Sequence, residues 1–291
     1  MSNHMAKIEG IWIPLITPFA DGAVDLVSYK RLVDHYIAQG VQGLIPLGTT
    51  GEGPTISEEE YEEVLDKTME YAAGRVPVIV GLGGNDTARV VKKLAVAEKY
   101  KVRGILSVCP YYSRPDQKGI YAHFKRISES TALDILVYNI PYRTGRNIEN
   151  KTIHELAALK NIAGIKDSCG DIQQSADLLL NRPADFTILT GEDTNYYLTL
   201  TLGGDGGILA AAHLDTDKFL RIYKLIQAND HQAALATWKE IAPYIPLLFQ
   251  EPNPAPIKYC LYKQGLIRSG ELRLPLTEIS EGLRERLASI L

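Results

Sequence analysis

The sequence predicts a (β/α)8 barrel, the TIM-barrel arrangement of the α/β class, with a helical C-terminal extension. Three observations predict it. Eight short apolar runs rich in β-branched residues recur along the 291 residues. Helical patterns lie between successive runs, so the two element types alternate. The runs begin roughly 20 to 35 residues apart, close to the repeat of one βα unit.

The runs are GIWIPLITPF (10–19), GLIPLG (43–48), PVIVGLG (77–83), GILSVCP (104–110), DILVYNIP (134–141), IAGIKDS (162–168), FTILTGED (186–193) and GGILAAA (206–212). Most are continuously apolar rather than alternating, which suits strands covered on both faces of a parallel sheet. Between the first two lies LVSYKRLVDHYIAQG, where Leu26, Tyr29, Leu32, Val33 and Tyr36 fall three and four apart before Gly40 ends the helix. SEEEYEEVLDKTMEYAAG starts on an N-cap Ser57, places acids in the first turn where the helix dipole favours them, and ends at Gly74. A doubly wound open sheet is the alternative. Eight covered runs disfavour it, because edge strands need exposed polar faces.

Residues 6–228 are assigned to the barrel and 229–291 to the extension, which reads as helical in DHQAALATWKEIAPYIPLLFQ, NPAPIKYCLYKQG and TEISEGLRERLASIL. Residues 1–5, MSNHM, read as a vector-derived remnant ahead of a start at Met5, so His4 is not counted as a ligand. The apolar fraction of 45%, the charged fraction of 23% and the net charge of −4 describe an ordinary globular chain. No Lys/Arg run points to nucleic acid. No apolar stretch reaches 18 residues and no secretory leader is visible, so a cytoplasmic protein without a membrane partner is expected. Cys109, Cys169 and Cys260 have no CxxC spacing, and no HExxH or His/Cys cluster occurs. Neither disulfides nor a metal are expected.

The strand ends of a barrel converge on one mouth, where site residues gather. Lys166 in NIAGIKDSCG follows an apolar approach. Such surroundings favour the neutral amine, a Schiff-base nucleophile. A strand-end lysine paired with Asp167 is the simpler alternative, though successive strand residues point to opposite faces. Tyr138 on the preceding run either packs in the core or shuttles protons beside the lysine. Thr49 and Thr50, between Gly48 and Gly51, form a tight turn that either offers hydroxyls and N–H groups to a carboxylate or a proton relay, or simply joins strand to helix. Arg143, in a loop beyond Pro141, either binds a carboxylate in bidentate fashion or lies on the surface. Tyr111 and Tyr112 line the mouth or reach another subunit. GLGGND and GGDGG lack the features of phosphate loops.

GLIPLGTTGE, CPYYSRP, YNIPYRTG, GIKDS and EPNPAPIK, in this order and spacing, resemble the dihydrodipicolinate synthase family of pyruvate-dependent class I aldolases, a group that also holds N-acetylneuraminate lyase. The resemblance runs from Ile8 to the end. It implies a lyase condensing pyruvate with L-aspartate 4-semialdehyde to 4-hydroxy-tetrahydrodipicolinate, in diaminopimelate and lysine biosynthesis, with no cofactor beyond the lysine imine. Lys166 would form that imine. Thr49, Tyr138 and Tyr112 would be the proton relay, with Tyr112 lent by a neighbouring subunit of a homotetramer built as a dimer of dimers. Thr50 and the backbone at Ile208 would hold the pyruvate-derived part, and Arg143 with the backbone at Gly191 the aldehyde's carboxylate. The alternatives are a pyruvate aldolase acting on a sugar acid, of the N-acetylneuraminate or 2-keto-3-deoxygluconate type, and a non-catalytic keto-acid-binding barrel. An arginine in PYRTG suits a small acidic aldehyde. Tyr142 beside it departs from the smaller residue common in the synthases.

The family's lysine-feedback cavity maps onto Gly53, Pro54, Glu58, Tyr61, Asn85, Arg89 and Tyr111. Arg89 stands where lysine-sensitive members place an acid for the inhibitor's amine, and like charges repel. Insensitivity to lysine is the expectation.

Overall fold

The structure, a computed structural model, describes residues 7–290; the proposed remnant at 1–5 lies outside the described residues. All eight expected strands form. They are β1 (Gly10–Ile13), β2 (Gly43–Leu44), β3 (Ile79–Gly81), β4 (Gly104–Val108), β5 (Asp134–Asn139), β6 (Ile162–Asp167), β7 (Thr187–Thr190) and β8 (Gly206–Ile208). Their pairing is parallel in the order β2-β1-β8-β7-β6-β5-β4-β3, and a parallel bridge from Leu44 to Val78 joins the two ends. The sheet is therefore a closed barrel, which removes the edges an open sheet would expose.

Each strand is shorter than its apolar run, for local reasons. Pro14 follows β1 and Pro46 follows β2, and neither has an N–H to give to a ladder. The run at 10–19 breaks after Ile13, and Phe19–Ala20 pairs instead with Ala23–Val24 in a small antiparallel hairpin. Beyond β8, Ala211–His213 coil into a 3-10 turn. Pro141 opens the helical turn Pro141–Thr144, so Arg143 stands on a fixed turn rather than in the expected loop.

Helices α1 (Leu26–Gln39), α2 (Glu58–Ala72), α3 (Thr87–Lys99), α4 (Gln117–Ser128), α5 (Asn150–Ala157), α6 (Ile172–Leu180), α7 (Tyr196–Thr201) and α8 (Thr216–Gln227) follow strands β1 to β8 in turn. Gly40 ends α1 in the left-handed conformation with φ 91°. Ser57 and Glu60 form a full capping box at the start of α2. The end of α2 differs slightly from expectation: Ala73 takes the left-handed cap one residue before Gly74.

Strand alternation sorts the apolar residues into two layers. Trp12, Ile45, Ile79, Leu106, Leu136, Leu189 and Ile208 fill the barrel interior. Ile11, Ile13, Val80, Ile105, Ile135, Val137, Ile165 and Ile188 face outward into the layer under the helices. The C-terminal helices α9 (His231–Ile241), α10 (Ala255–Lys263) and α11 (Glu281–Ala288) share that outer layer, to which Ala234, Ile257, Leu261 and Leu283 contribute. No helix among the described residues is long and apolar enough to cross a membrane.

His213 ties two strand ends together. Its Nδ1 donates to the Ala210 carbonyl at 2.8 Å, and its Nε2 accepts from the Ile16 amide at 3.3 Å. The Nε2 bond needs the neutral ring, and burial pushes the imidazole down to about 4, against the Ala210 carbonyl, which favours the protonated form. The unfolded chain takes up this proton near pH ~6.5, so stability is lost as pH falls from there toward the folded value, by about 2 kcal/mol at pH 5. Urea unfolding of wild type and His213→Gln at pH 7 and pH 5 checks this: the variant's loss between the two pH values should be smaller by about that amount.

Candidate active site at the barrel mouth

Ile165 faces outward, so the next residue, Lys166, must face inward. It lies near the C-terminal end of β6 and is 6% exposed. Its cross-strand partner on β5 is Tyr138, and Nζ stands 4.2 Å from the centroid of that ring. The amine has room because the next strand top carries Gly191: a Cβ there would overlap Lys166 Cε and Ser168 Oγ and sit 2.9 Å from Lys166 Cγ. Asp167 points the other way, where its carboxylate accepts from the Ser175 hydroxyl at 2.5 Å and the Cys169 amide at 3.1 Å.

Two opposing forces set the charge on Lys166. Burial dominates and pushes its pKa down; the Arg143 charge acts in the same sense, while Asp193 and Glu192 push it up. Asp193, also buried, accepts from the Ala211 amide at 2.6 Å, and desolvation raises its carboxyl well above the usual range. Glu192 is raised for the same reason. The amine and two carboxyls compete for protons at the mouth. Burial also raises the Tyr138 phenol, against the pull of Arg143 and of hydroxyls on Thr49 and Ser168.

Thr49 and Thr50 lie in the turn that follows β2. The amides of Gly51 and Gly53 both donate to the Gly48 carbonyl, at 3.1 and 3.2 Å, and Glu52 N donates to Thr49 O at 3.1 Å. Thr50 Oγ1 accepts from Asn253 Nδ2 at 2.9 Å, which leaves its own proton free for another acceptor. Ile208 ends β8 inside the barrel.

Arg143, Tyr142, Gly191, Glu192, Asp193, Phe249 and Asn253 line an open cavity of about 800 Å³. The Arg143 guanidinium lies 5.6 Å from the Tyr142 ring centroid, so the unexpected tyrosine backs the cation. Tyr111 and Tyr112 are not drawn into this group. Tyr112 is 90% exposed with φ 68°, and among the described residues no hydrogen bond or ring contact joins it to Lys166 or Tyr138.

The mapped feedback residues lie on separate elements: Gly53 and Pro54 in a 3-10 turn, Glu58 and Tyr61 on α2, Asn85 and Arg89 around the start of α3, and Tyr111 beyond β4. Tyr61 donates to Gly81 O at 3.0 Å. Arg89 is exposed and faces Asp86 at 3.3 Å.

Sequence reasoning missed four groups at the mouth: Ser168, Glu192, Asp193 and Asn253. The first three stood in the strand ends IKDS and TGED, where their place at a barrel mouth was the available signal. Asn253 stood in EPNPAPIK, one of the motifs that carry the family resemblance, but its place at the mouth depends on how the extension folds back.

The comparisons agree with the fold. Residues 7–291 match the model of the dihydrodipicolinate synthetase family. The chain is 60% identical over 285 residues to 4-hydroxy-tetrahydrodipicolinate synthase 2 of Clostridium acetobutylicum, covering 98% of this chain and 100% of that relative. The crystal structure of dihydrodipicolinate synthase from Thermotoga maritima is 38% identical with a TM-score of 0.95, covering 98% of each chain. The chloride-inhibited synthase from Acinetobacter baumannii complexed with pyruvate is 36% identical with a TM-score of 0.94, covering 97% of each. On this match along nearly its whole length, the chain belongs to the dihydrodipicolinate synthetase family.

Proposed function

We propose that this protein condenses pyruvate with L-aspartate 4-semialdehyde to 4-hydroxy-tetrahydrodipicolinate, in diaminopimelate and lysine biosynthesis, through an imine on Lys166. The observation that carries the reading is a buried amine, stacked on Tyr138 and given room by Gly191, whose surroundings favour its neutral form. The neutral amine attacks C2 of pyruvate, and loss of water leaves a protonated imine. That cation accepts the electron pair when C3 loses a proton, giving an enamine. Its C3 attacks the aldehyde carbon, whose oxygen takes up a proton to become the hydroxyl. The substrate's own amine then adds to C2 and expels Lys166, which leaves as a free amine.

Tyr138 and Thr49 move protons between the carbinolamine and solvent. Tyr112, projecting from the subunit surface, completes the relay from a neighbouring copy, in a homotetramer that works as a dimer of dimers. Thr50 and the Ile208 backbone hold the pyruvate-derived part. Arg143, beside the Gly191 backbone, grips the aldehyde's carboxylate. The covalent lysine imine is the only reactive group the chemistry requires, and the cytoplasm is the compartment assigned to it.

Borohydride reduction in the presence of pyruvate, read by peptide mass spectrometry, should place one covalent adduct on Lys166 and none on Lys166→Ala. A wild-type chain without adduct would make this a binding barrel only. In coupled assays aspartate semialdehyde should outperform N-acetylneuraminate and 2-keto-3-deoxygluconate. Arg143→Ala should lower kcat/KM for the aldehyde by about 100-fold, the loss of a charge-assisted pair of roughly 2–3 kcal/mol.

The acid limb of kcat/KM for pyruvate should track Lys166, because only the neutral amine attacks. Asp193 stabilises the ammonium, so removing its charge lowers the lysine's pKa. Asp193→Asn should therefore move the acid limb to lower pH, and a limb that stays or moves upward contradicts the assignment.

Arg89 adds a positive charge where an inhibitory lysine's amine would sit. Free L-lysine should leave the steady-state rate unchanged up to millimolar concentration, and Arg89→Glu is the variant in which to look for gained inhibition.

A further inference from the structure

The turn at residues 48–53 is held from the far end of the chain. Leu47 and Glu52 both adopt the left-handed conformation, φ 63° and 55°, which non-glycine residues take only where the surroundings impose it. The Glu52 side chain is fully buried and forms an ion pair with Lys258 of α10, itself 0% exposed. Lys258 Nζ also donates to the Glu271 carbonyl at 2.9 Å and lies 4.1 Å from the centroid of the Phe19 ring. The other Glu52 oxygen accepts from the Arg273 amide at 3.1 Å. The Arg273 guanidinium donates to Thr55 O at 2.9 Å, pairs with Glu60 and lies 4.2 Å from the same Phe19 ring. A buried ion pair is a poor source of stability, because apolar residues of equal volume commonly do as well. What it fixes is direction.

We infer that Lys258 is a positioning residue for the reaction: its buried pair with Glu52 sets the Thr49–Thr50 turn so that the Thr50 hydroxyl meets the carboxylate of pyruvate. The inference rests on the proposed imine chemistry. Asn253, five residues before Lys258, accompanies it by donating to Thr50 Oγ1 and turning that hydroxyl's proton outward. Lys258 itself is closed off from the mouth and acts only through Glu52.

The test compares Lys258→Met and Glu52→Gln with wild type in pyruvate KM, melting temperature and borohydride trapping, with rates expressed per trappable Lys166. Both variants should raise the pyruvate KM at least tenfold while Lys166 is still trapped at saturating pyruvate. Tyr29→Phe supplies a destabilised control, since it loses a buried 2.6 Å bond to Thr68 between α1 and α2; its melting temperature should fall with pyruvate KM unchanged. Should Lys258→Met fail to fold, Glu52→Gln alone decides. Variants that melt early yet keep the wild-type pyruvate KM would overturn the positioning role and leave the proposed function standing. A wild-type enzyme that yields no adduct would overturn both.

Discussion

Everything at the mouth depends on one constraint, the two-residue alternation of a closed parallel barrel. Because Ile165 must fill the layer beneath the helices, Lys166 has no choice but the interior. A slip of one residue in β6 would exchange Lys166 with Asp167 and put a carboxylate over Tyr138. The ladder steps by one residue between Ile135 and Leu136, and beyond that step Tyr138 pairs with Lys166 and Asn139 with Asp167, while β7 holds the other side of β6. The chemistry is thus a by-product of how the hydrophobic residues are sorted.

The interior position alone would leave a neutral lysine of little selectivity. Asp193 and Glu192 supply the counterweight, with Asp193 anchored by an amide beyond β8. Because their influence opposes burial, the amine is neither a permanently charged surface group nor a fully discharged one. Gly191 between them and the lysine is the steric condition for the arrangement, as any side chain there would occupy the space of the lysine's own methylenes.

The barrel was legible because eight covered strands leave a periodic mark that loops do not blur. Lys166, Tyr138, Thr49, Thr50 and Arg143 could be picked out because each stands at a strand end or in the segment just beyond one, and strand ends of a barrel share one face. Strand lengths were less legible: apolar character continues past Pro14 and Pro46, while the hydrogen-bond ladder stops near them. The acids of TGED were passed over beside the more reactive lysine, though they lie at the same mouth. Asn253 and Lys258 could not be placed at all by local pattern. They reach the turn only through the packing of α10, and no rule of period two or 3.6 encodes a contact between segments so far apart.

That separation has a consequence for how the molecule comes into being. The hydrogen bond from Asn253 to Thr50 spans 203 positions. During synthesis the turn and the lysine strand emerge well before the segment that braces them, and contacts of such long sequence separation form late. A growing chain can assemble its strands and present the amine while the carboxylate cradle is still loose. The cradle is complete only once the C-terminal extension has packed against the turn, a step later than barrel closure.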